Sequence, residues 1–397
     1  MNLESFHSLL TTAGESALAA AEALKPREAD FLGHLQALSR RFPVELAKAA
    51  LETAVLRREA ASKFPFAGKM YLTREAFEQA SSYEISAYRA ERFGGFRWRV
   101  DLGCSIGADT LALAAQGKVV GVDLDPLRLT MARENLRACG SACQARFLQA
   151  DLTRPLPFQF PTGGDAAQTA LFFDPARRSG GKRLFSVRAY APPLSVLKSW
   201  LPVYPAVGVK ISPGVDLAEL SEYEAEIEFI SLHGELKEAV LWFGPLKTAS
   251  RRATLLPGPH TLTAEGDASL PISEPQAFIY EPDPAVLRAG LVATLGVELG
   301  ASQMDPDIAY LTADKSISTP FGRGWKIVDW FPFSLKRLRA HLREKGIGRL
   351  VVKKRGSPLE PEALIQSLRL SGDKEGLIFL THLRGRPIVI LSELPAA

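Results

Sequence analysis

The sequence predicts an α/β fold built on a seven-stranded sheet, with a helical domain before it and small α+β domains after it. Strand and helix patterns alternate between residues 97 and 245, which is typical of a mostly parallel sheet covered by helices on both faces. A glycine-containing turn joins the first strand to the first helix. Polar motifs follow several strands at their carboxyl ends, where open α/β sheets bind ligands.

The alternating region supplies the predicted sheet and the helices that cover it. Strands are expected at residues 97–102, 118–122, 145–149, 168–173, 206–211, 225–231 and 237–243. Helices are expected at residues 108–116, 126–139, 190–200 and 216–222. Only residues 232–236 separate the last two strands, so these strands should pair antiparallel as a hairpin.

The remaining segments predict further domains. The first 65 residues should be helical, because alanine is frequent there and Pro26 and Pro43 stand where helices can start. Residues 244–274 are rich in Pro, Gly, Ser and Thr and predict a linker with an extra strand at 253–256. The expected domains are 1–65, 66–250, 251–320 and 321–397.

The C-terminal third predicts a smaller set of elements. Strands at 277–280 and 308–311 flank a helix at 284–299. The last segment predicts strands and helices in mixed order, namely a strand at 325–331, a helix at 334–344, a strand at 348–354, a helix at 360–369 and strands at 376–382 and 386–391. Leucines at helical spacing give the first of these two helices one apolar stripe and leave its basic residues outside that stripe.

Composition narrows the class of protein. The 397 residues are 46% apolar and 23% charged, which is ordinary for globular domains. No apolar run reaches the roughly eighteen residues of a membrane span, and the N-terminus lacks a signal-peptide pattern, so no membrane partner is expected. Three cysteines cannot form a closed disulfide set and the histidines lack metal-ligand spacing. We therefore expect a cytoplasmic protein without a metal.

Positive charge is concentrated near the C-terminus. The chain carries 48 Lys and Arg against 44 Asp and Glu. Residues 325–397 hold 14 of the basic and 7 of the acidic residues, a net of +7, which leaves 34 against 37 and a net of −3 elsewhere. This asymmetry favours a basic module that binds an anionic polymer, although solvated basic side chains on a small domain give the same count.

The turn after the first strand carries the most specific pattern. Gly103 and Gly107 permit backbone angles that other residues rarely adopt. Asp123 ends the second strand twenty positions after Gly103 (123 − 103), the spacing at which an acid accepts a hydrogen bond from a ribose hydroxyl in nucleotide-binding β-α-β units. The pattern fits Gly-x-Gly-x-Gly with Ser105 in the middle position. A β-α-β unit without a ligand is the alternative for this turn taken alone.

Four further motifs follow the ends of successive strands. They are Asp125-Pro126, Asp151-Leu152, Asp174-Pro175-Ala176-Arg177-Arg178 and Lys210-Ile211-Ser212-Pro213-Gly214. The carboxyl ends of parallel strands meet at one edge of a sheet, so a ligand site is expected where these motifs converge.

Together these motifs resemble those of class I S-adenosylmethionine (SAM) methyltransferases, whose core is Rossmann-like. The resemblance implies SAM as the cofactor, with Asp123 at the ribose and Asp151 at the adenine amino group. The residues implied in SAM binding are Asp101, Gly103, Cys104, Ser105, Gly107, Asp123, Leu124, Asp151, Leu152 and Asp174. Ser105 departs from the family's glycine in the middle of the turn.

The motif at Asp174 bears on the reaction. Enzymes that methylate amino groups of nucleic acids carry Asp or Asn, then Pro-Pro and an aromatic residue, whereas Ala176 and Arg177 fill the last two positions here. The motif is also similar to the Asp-Pro-Pro-Arg of 5-methyluridine enzymes, which need a nucleophilic cysteine later in the domain. No cysteine follows Cys143, so that mechanism is excluded.

The resulting hypothesis is methyl transfer to a nitrogen or oxygen of an anionic substrate. Asp174 would orient or deprotonate the acceptor and Arg177 would hold a phosphate or a base edge, so these two are the predicted catalytic residues. Since SAM is already activated, alignment of acceptor, methyl group and sulfur would supply most of the catalysis. The predicted substrate contacts near Asp174 are Pro175, Arg178, Lys182 and Lys210.

Residues 64–93 are similar to the segment that precedes the glycine turn in trimethylguanosine synthases and folds over the methionine end of SAM. The likeness implies that Gln79, Ser81 and Ser82 lie near SAM. A helix that only packs against the sheet is the alternative for each of these residues.

Over nearly its whole length the chain resembles an uncharacterised bacterial family of class I methyltransferases with ferredoxin-like and THUMP-like C-terminal domains. The motifs that carry this resemblance are Lys63-Phe64, Met70-Tyr71, the Asp101 turn, the Asp174 motif, Tyr280-Glu281-Pro282-Asp283-Pro284 and Lys353-Lys354-Arg355-Gly356. THUMP domains deliver RNA to modification enzymes, so the resemblance implies an RNA partner, tRNA or rRNA. The predicted phosphate contacts there are Lys336, Arg337, Lys353, Lys354 and Arg355.

Two other functions stay open on the sequence alone. A methyltransferase for a small molecule or a protein would use the C-terminal domains for structure only. A non-catalytic protein that binds SAM and RNA is compatible with Ser105 in the turn and with the missing aromatic residue after Pro175.

Overall fold

The structure is a computed structural model that describes residues 1–158, 166–176, 178–179, 182–183, 186–264, 266 and 268–394. For residues 178–179 and 182–183 it describes the backbone only. The chain divides into two compact units, Met1–Glu226 with Ala239–Thr248 and Ile227–Glu238 with Ala249–Ala397. The predicted division into four domains is finer and remains a prediction.

The described residues contain α-helices in both units. They are α1 (Leu3–Leu9), α2 (Thr12–Ala23), α3 (Phe31–Leu38), α4 (Val44–Ala60), α5 (Arg74–Gln79), α6 (Tyr83–Glu91), α7 (Ala108–Ala115), α8 (Pro126–Ala138), α9 (Leu197–Trp200), α10 (Pro284–Ala289), α11 (Val292–Glu298), α12 (Leu335–Glu344) and α13 (Pro361–Leu368). Among the residues that the structure describes, every helix is too short or too polar to span a lipid bilayer.

The strands follow the same numbering in chain order. They are β1 (Trp98–Leu102), β2 (Val119–Asp123), β3 (Ala145–Gln149), β4 (Thr169–Phe173), β5 (Arg178–Ser179), β6 (Lys182–Arg183), β7 (Ala206–Ile211), β8 (Glu226–Leu232), β9 (Glu235–Phe243), β10 (Arg251–Leu256), β11 (His260–Thr263), β12 (Phe278–Pro282), β13 (Ser302–Asp305), β14 (Ile308–Ala313), β15 (Gly322–Pro332), β16 (Ile347–Lys354), β17 (Lys374–Leu383) and β18 (Arg386–Ser392).

The first unit contains the predicted parallel sheet. Its strands lie in the order β3-β2-β1-β4-β7, and all neighbours in this set pair parallel. The second half of β9 pairs antiparallel with β7. A tight turn at His233-Gly234, with φ of 53° and 80°, joins β8 to β9. The seven predicted strands and their terminal hairpin are therefore confirmed.

The two central strands explain why this sheet is buried on both faces. Every residue of β4 and of β7 is buried, as expected for parallel strands with helices on each side. Gly208 in β7 makes room for the ring of Trp242, because a Cβ at this position would lie 2.7 Å from that ring. Because neighbouring strands in this set pair parallel, the carboxyl ends of β1, β2, β4 and β7 lie along one edge of the sheet.

Two helices predicted in the first unit are shorter than expected. Residues 190–200 form α9 only from Leu197, preceded by a 3-10 helix at Leu194–Val196. Pro192 and Pro193 explain the difference, since proline lacks the N–H that a helix needs and disfavours helical angles in the residue before it. Residues 216–222 form a 3-10 helix at Leu217–Leu220 rather than an α-helix.

The N-terminal helices pack into one apolar core with residues of α7 and α8, which confirms the predicted helical start of the chain. Asn135 of α8 is fully buried beside this core. Its Oδ1 accepts a hydrogen bond from the Tyr71 N–H at 2.6 Å, and its Nδ2 donates to the carbonyls of Tyr71 at 3.0 Å and Ile106 at 2.9 Å. One side chain thus ties the Met70-Tyr71 segment to the turn that precedes α7.

The second unit is organised around a seven-stranded sheet of its own. Its strand order is β13-β14-β12-β15-β18-β17-β16, with β16 and β17 parallel. Helices α12 and α13 pack against it through four leucines, Leu338, Leu342, Leu364 and Leu368. In the same unit β10 pairs parallel with β8 and antiparallel with β11.

Most predicted elements of the second unit are present, with two differences. The helix expected at 284–299 is divided into α10 and α11 by Gly290, which adopts φ of 73° and ends the first helix. Strands β11 and β13 were not predicted, because each is four residues long and lacks a clear alternation of apolar residues.

Asn135 provides a stability test of the first unit. Asn135→Ala should lower the free energy of unfolding by about 2–4 kcal/mol, because it leaves buried backbone groups of Tyr71 and Ile106 without partners. The measurement is denaturant unfolding followed by circular dichroism. Gln36→Ala on the exposed face of α3 is the control and should change the value by less than about 0.5 kcal/mol. A loss of unfolding free energy as small as that of the control would contradict the conclusion that Asn135 ties the Met70-Tyr71 segment to the turn before α7.

Candidate active site

The turn after β1 is shaped by two glycines in the left-handed region. Gly103 has φ of 82°, and a Cβ there would lie 2.6 Å from the backbone oxygen of Asp174. Any side chain at this position would therefore push apart the loops that follow β1 and β4. Gly107, with φ of 80°, precedes α7 and packs against Ala132 and Leu136 of α8. The requirement for glycine at both positions agrees with the sequence prediction.

Ser105 occupies the middle of this turn in a strained conformation. Its φ is 48°, a value that glycine adopts without cost and serine rarely adopts. The Ser105 N–H donates to Asp123 Oδ2 at 2.8 Å, and the Asp125 N–H donates to Asp123 Oδ1 at 2.9 Å. The carboxylate at the end of β2 thus holds the turn closed and compensates for the serine. This contact keeps Asp123 beside the turn, as the spacing predicts.

Leu124 and Asp151 lie at the same edge of the sheet. Leu124 is 63% exposed, which is unusual for a large apolar side chain next to a buried strand. Asp151 follows β3, and its Oδ1 accepts hydrogen bonds from the hydroxyl and the N–H of Thr153 at 2.6 and 2.9 Å. These hydrogen bonds lower the pKa of Asp151. Leu152 beside it is buried.

Asp101 is a buried carboxyl group under the turn. It is 1% exposed, and its Oδ2 accepts a hydrogen bond from the Thr110 hydroxyl. Its Oδ1 has no hydrogen-bond partner among the described residues. Burial raises the pKa of Asp101 well above its usual value, and the nearby charges of Asp109 and Asp174 raise it further. A buried oxygen without a partner fits a cofactor that brings a positively charged group, as SAM does with its ammonium.

Cys104 is buried beside Asp101 and does not form a disulfide. Its N–H and that of Gly103 both donate to the carbonyl of Val122, at 3.0 and 2.8 Å. Burial raises the pKa of the Cys104 thiol well above its usual value, with the charges of Asp101 and Asp123 as further causes. The thiol is therefore neutral, and Cys104 contributes to the turn through its backbone.

A buried salt bridge between α6 and α7 lies beside this site, and sequence patterns did not reveal it. Asp109 Oδ1 accepts from the Ser86 hydroxyl at 2.6 Å and from the guanidinium of Arg89. Arg89 also lies over the ring of Phe172 in β4, 4.7 Å from its centre. Burial alone would raise the pKa of Asp109, but the charges of Arg89 and Lys210 outweigh it and lower the pKa. In the sequence, this salt bridge is indicated only by the position of Arg89, which shares the buried face of α6 with Ile85 and Ala90.

Asp174 and Lys210 form an ion pair at the ends of two neighbouring strands. The Asp174 N–H donates to the carbonyl of Leu102 at 3.0 Å, which ties the loop after β4 to the end of β1. The Lys210 ammonium lies 2.8 Å from Asp174 Oδ2 and 3.3 Å from the Gln79 carbonyl. The Lys210 side chain is 2% exposed, and that of Asp174 is 21% exposed. Asp174 therefore faces the surface, with Lys210 behind it.

The segment predicted to cover the cofactor lies at this ion pair. Gln79, the last residue of α5, receives the Lys210 hydrogen bond. Ser81 and Ser82 follow it, and the buried hydroxyl of Ser82 has no hydrogen-bond partner among the described residues. Lys210 contacts both the Gln79 carbonyl and Asp174, and the predicted position of Gln79, Ser81 and Ser82 near SAM remains a prediction.

Several predicted acceptor-side residues are only partly described. Pro175 is buried directly after Asp174. Arg177 lies outside the described residues, as do the side chains of Arg178 and Lys182. The backbones of Arg178 and Lys182 belong to β5 and β6, which pair antiparallel in a two-stranded ribbon. The roles of these three basic residues remain predictions.

In the second unit the residues predicted to contact phosphates differ in whether an acidic side chain of the described residues already pairs with them. Lys336 and Arg337 are exposed on α12, and Arg337 lies 4.2 Å from the centre of the Phe331 ring. Lys353 forms an ion pair with Glu281, and Lys354 forms one with Glu360 at 2.7 Å. Arg355 lies 5.4 Å from the centre of the Tyr310 ring, and its guanidinium is 3.9 Å from Glu281. The charges on α12 are therefore the more available for a polyanion.

Asp101 gives the site a testable dependence on pH. A carboxyl whose folded-state pKa is raised keeps its proton in the native state at pH values where the unfolded chain has released it. Its stabilising contribution is present below pH 4 and is lost as pH rises toward the raised pKa. Asp101→Asn should therefore gain stability relative to the wild type as pH rises above about 4, by up to about 1.4 kcal/mol per pH unit.

The measurement is urea unfolding of both proteins at several pH values. Asp30→Asn, an exposed position before α3, is the control and should show a constant difference from the wild type. A constant difference for Asp101→Asn would show that Asp101 ionises normally in the folded protein.

Comparison with family models identifies three segments of the chain. Residues 100–167 match a methyltransferase domain, residues 322–394 match a THUMP domain-like model, and residues 2–60 match a domain of unknown function. The methyltransferase match covers β1 to β3, the turn and the carboxylates Asp101, Asp123 and Asp151.

Similar proteins extend this identification over most of the chain. An uncharacterized S-adenosylmethionine-dependent methyltransferase of Mycobacterium tuberculosis is 35% identical over 346 residues, which cover 84% of this chain and 92% of the relative. The ribosomal RNA large subunit methyltransferase K/L of Aeromonas salmonicida is 32% identical over 157 residues, 36% of this chain and 21% of that protein.

A solved structure supports the fold. A crystal structure from Porphyromonas gingivalis W83, provisionally described as a methyltransferase, superimposes with a TM-score of 0.75 over 94% of this chain and 100% of that chain at 21% sequence identity. The extent and identity of the match to the mycobacterial relative show the family. The chain belongs to the S-adenosylmethionine-dependent methyltransferases, with SAM as its cofactor, a Rossmann-like class I core and a THUMP-like C-terminal domain.

Proposed function

We propose that this methyltransferase transfers the methyl group of SAM to a nitrogen or oxygen atom of an RNA. The observation that carries the proposal is the partly exposed carboxylate of Asp174, whose Oδ2 accepts a hydrogen bond from Lys210 at 2.8 Å and whose backbone packs against the turn at Gly103. A carboxylate in this place can accept the proton of an amine or a hydroxyl. The THUMP-like match over residues 322–394 supports RNA as the molecule that carries the acceptor.

The cofactor is proposed to lie across the ends of β1, β2 and β3. Asp123 would accept hydrogen bonds from the ribose hydroxyls, and Leu124 would cover one face of the adenine. Asp151 would accept from the adenine amino group, and Leu152 would pack beside it. Asp101 Oδ1 is the group proposed for the ammonium, because it is buried and has no hydrogen-bond partner among the described residues.

When bound, SAM would supply a methyl group already activated as a sulfonium. In the transfer the carbon–sulfur bond would break, with its electron pair left on sulfur, as the carbon–acceptor bond formed, and the acceptor would lose a proton. Asp174 is proposed to orient the acceptor and to receive that proton. Arg177 and Arg178 are proposed to hold the adjoining phosphate or base edge. The contribution of the chain is mainly alignment, since the methyl group needs no further activation.

Two findings favour RNA over other acceptors. Residues 325–397 carry a net charge of +7, and Lys336 and Arg337 lie exposed on α12. The relative from Aeromonas salmonicida is named as an enzyme for ribosomal RNA. Exposed basic side chains fit contact with the phosphates of the RNA backbone. Such contacts would position an RNA without reading its base sequence. Cytoplasmic tRNA or rRNA is the proposed substrate class.

The direct test is incubation of the full-length protein with SAM carrying a tritiated methyl group. Total RNA, total protein and small metabolites from the source cell are supplied in separate reactions. We expect label in RNA that nuclease treatment releases. Label in protein or metabolites alone would show a different acceptor, and SAM binding without transfer to any pool would show a non-catalytic protein.

Asp174 is tested by separating turnover from cofactor binding. Asp174→Asn and Asp174→Ala should lower kcat by about 10²–10⁴-fold, because the acceptor loses the group that orients and deprotonates it. SAM affinity measured by calorimetry should fall far less than kcat. Glu222→Gln, which removes an exposed carboxylate of the first unit, is the control. Full turnover in either Asp174 variant would remove Asp174 from the mechanism.

Asp123 is tested by affinity rather than by rate. Asp123→Ala should weaken SAM binding by about 10²-fold or more, because it removes hydrogen bonds from ribose hydroxyls to a charged acceptor. Isothermal titration calorimetry measures the affinity, and circular dichroism checks that the variant is folded. Unchanged affinity would place the ribose elsewhere.

The exposed charges of α12 are tested by the salt dependence of RNA binding. The double variant Lys336→Gln/Arg337→Gln should bind RNA more weakly and should reduce the slope of log K against log salt concentration by about 1–2. Lys326→Gln is the matched control in the same unit, since Glu393 already pairs with Lys326 at 2.8 Å. Equal slopes for the double variant and the wild type would place the RNA on another surface.

A further inference from the structure

Lys210 is a buried lysine whose charge is matched by Asp174. It lies on β7, a strand whose residues are all buried, and its side chain is 2% exposed. Its ammonium donates to Asp174 Oδ2 at 2.8 Å and to the Gln79 carbonyl at 3.3 Å. An ammonium is rarely buried without a counter-charge, because the loss of hydration is expensive. The pairing with Asp174 is therefore a condition for Lys210 to occupy this position.

The same pairing limits what Asp174 can do. The contact of the Lys210 ammonium to Oδ2 restricts rotation of the carboxylate. Oδ1 has no hydrogen-bond partner among the described residues, and the side chain is 21% exposed. Within the described part of the chain, Oδ1 is therefore the oxygen available at the surface, and an oxygen of a carboxylate paired with an ammonium accepts hydrogen bonds.

We infer that Lys210 is a positioning residue that acts through Asp174, and that the site selects an acceptor atom carrying a proton. This inference rests on the proposed function and names its acceptor more closely, as an exocyclic amine of a base or a ribose hydroxyl. A ring nitrogen without a hydrogen offers nothing for Oδ1 to accept. Lys210 itself is too buried to contact an RNA phosphate, which distinguishes this role from a direct substrate contact.

Lys210 also connects Asp174 to the segment before α6. Its second hydrogen bond goes to the carbonyl of Gln79, the residue that ends α5. The titratable groups near the pair are Asp101, whose pKa burial raises, and Asp109, whose pKa the charges of Arg89 and Lys210 lower. Lys210 thus contacts both the Asp174 carboxylate and the segment that ends α5.

Kinetics distinguish positioning from substrate contact. Lys210→Met removes the charge and keeps the length of the side chain. We expect kcat to fall by about a hundredfold or more and the KM for RNA to change by less than about threefold. Lys198→Met removes an exposed lysine paired with Glu222 and is the control. A raised KM with unchanged kcat would overturn the inference, because that result indicates a substrate contact.

A stability measurement tests the ion pair without any activity. Asp174→Asn leaves the ammonium of Lys210 buried without its counter-charge, so adding Lys210→Met should restore stability. The double variant should therefore unfold at a higher temperature than Asp174→Asn alone. If the double variant is less stable than either single variant, Lys210 and Asp174 do not depend on each other and the inference is wrong. The unfolding temperatures can be measured even if the protein methylates no RNA. The dependence of Lys210 on Asp174 is therefore tested separately from the proposed methylation of RNA.

The acceptor class is read from the product. Labelled RNA is digested to nucleosides and the methylated nucleoside is identified by mass spectrometry. A methylated exocyclic amine or a 2′-O-methyl group is the expected result. A methyl group on carbon, or on a ring nitrogen that carries no proton in the substrate, would overturn the acceptor part of the inference.

Discussion

The contact between the Ser105 N–H and the Asp123 carboxylate holds the site together. It joins the turn after β1 to the end of β2 at 2.8 Å, and the second oxygen of Asp123 accepts the N–H of Asp125. A serine at φ of 48° is strained, so this turn needs a strong acceptor to keep its shape. The carboxylate that is proposed to hold the ribose is thus also the group that shapes the turn. Loss of Asp123 would affect both.

The second constraint is the arrangement of charge beneath the turn. Three carboxyl groups, Asp101, Asp109 and Asp174, lie near two buried cations, Arg89 and Lys210. Asp109 and Asp174 each have a cation, whereas Asp101 has only the Thr110 hydroxyl and keeps one oxygen without a partner among the described residues. The three carboxyl groups therefore differ in their partners and in the roles that we propose for them. Asp109 joins α6 to α7 through Ser86 and Arg89, whereas Asp101 is the group proposed for the ammonium of SAM and Asp174 the group proposed for the acceptor.

Local patterns in the sequence were enough to predict the parallel sheet, because β1, β4 and β7 are short and almost entirely buried runs followed by turns. The row of carboxylates followed from the same reasoning, since strand ends of a parallel sheet share an edge. Patterns did not predict the partners of those carboxylates. Lys210 follows Asp174 by 36 positions, and Arg89 precedes Asp109 by 20, so each pair forms only when the strands and helices have assembled. The shortened α9 was predictable in principle from Pro192 and Pro193.

The most direct test is a crystal structure of the full chain with S-adenosylhomocysteine. We expect the ribose hydroxyls within hydrogen-bond distance of the Asp123 carboxylate and the sulfur directed toward Asp174. A nucleoside bound away from the turn at Gly103, or one whose sulfur points away from Asp174, would contradict this expectation.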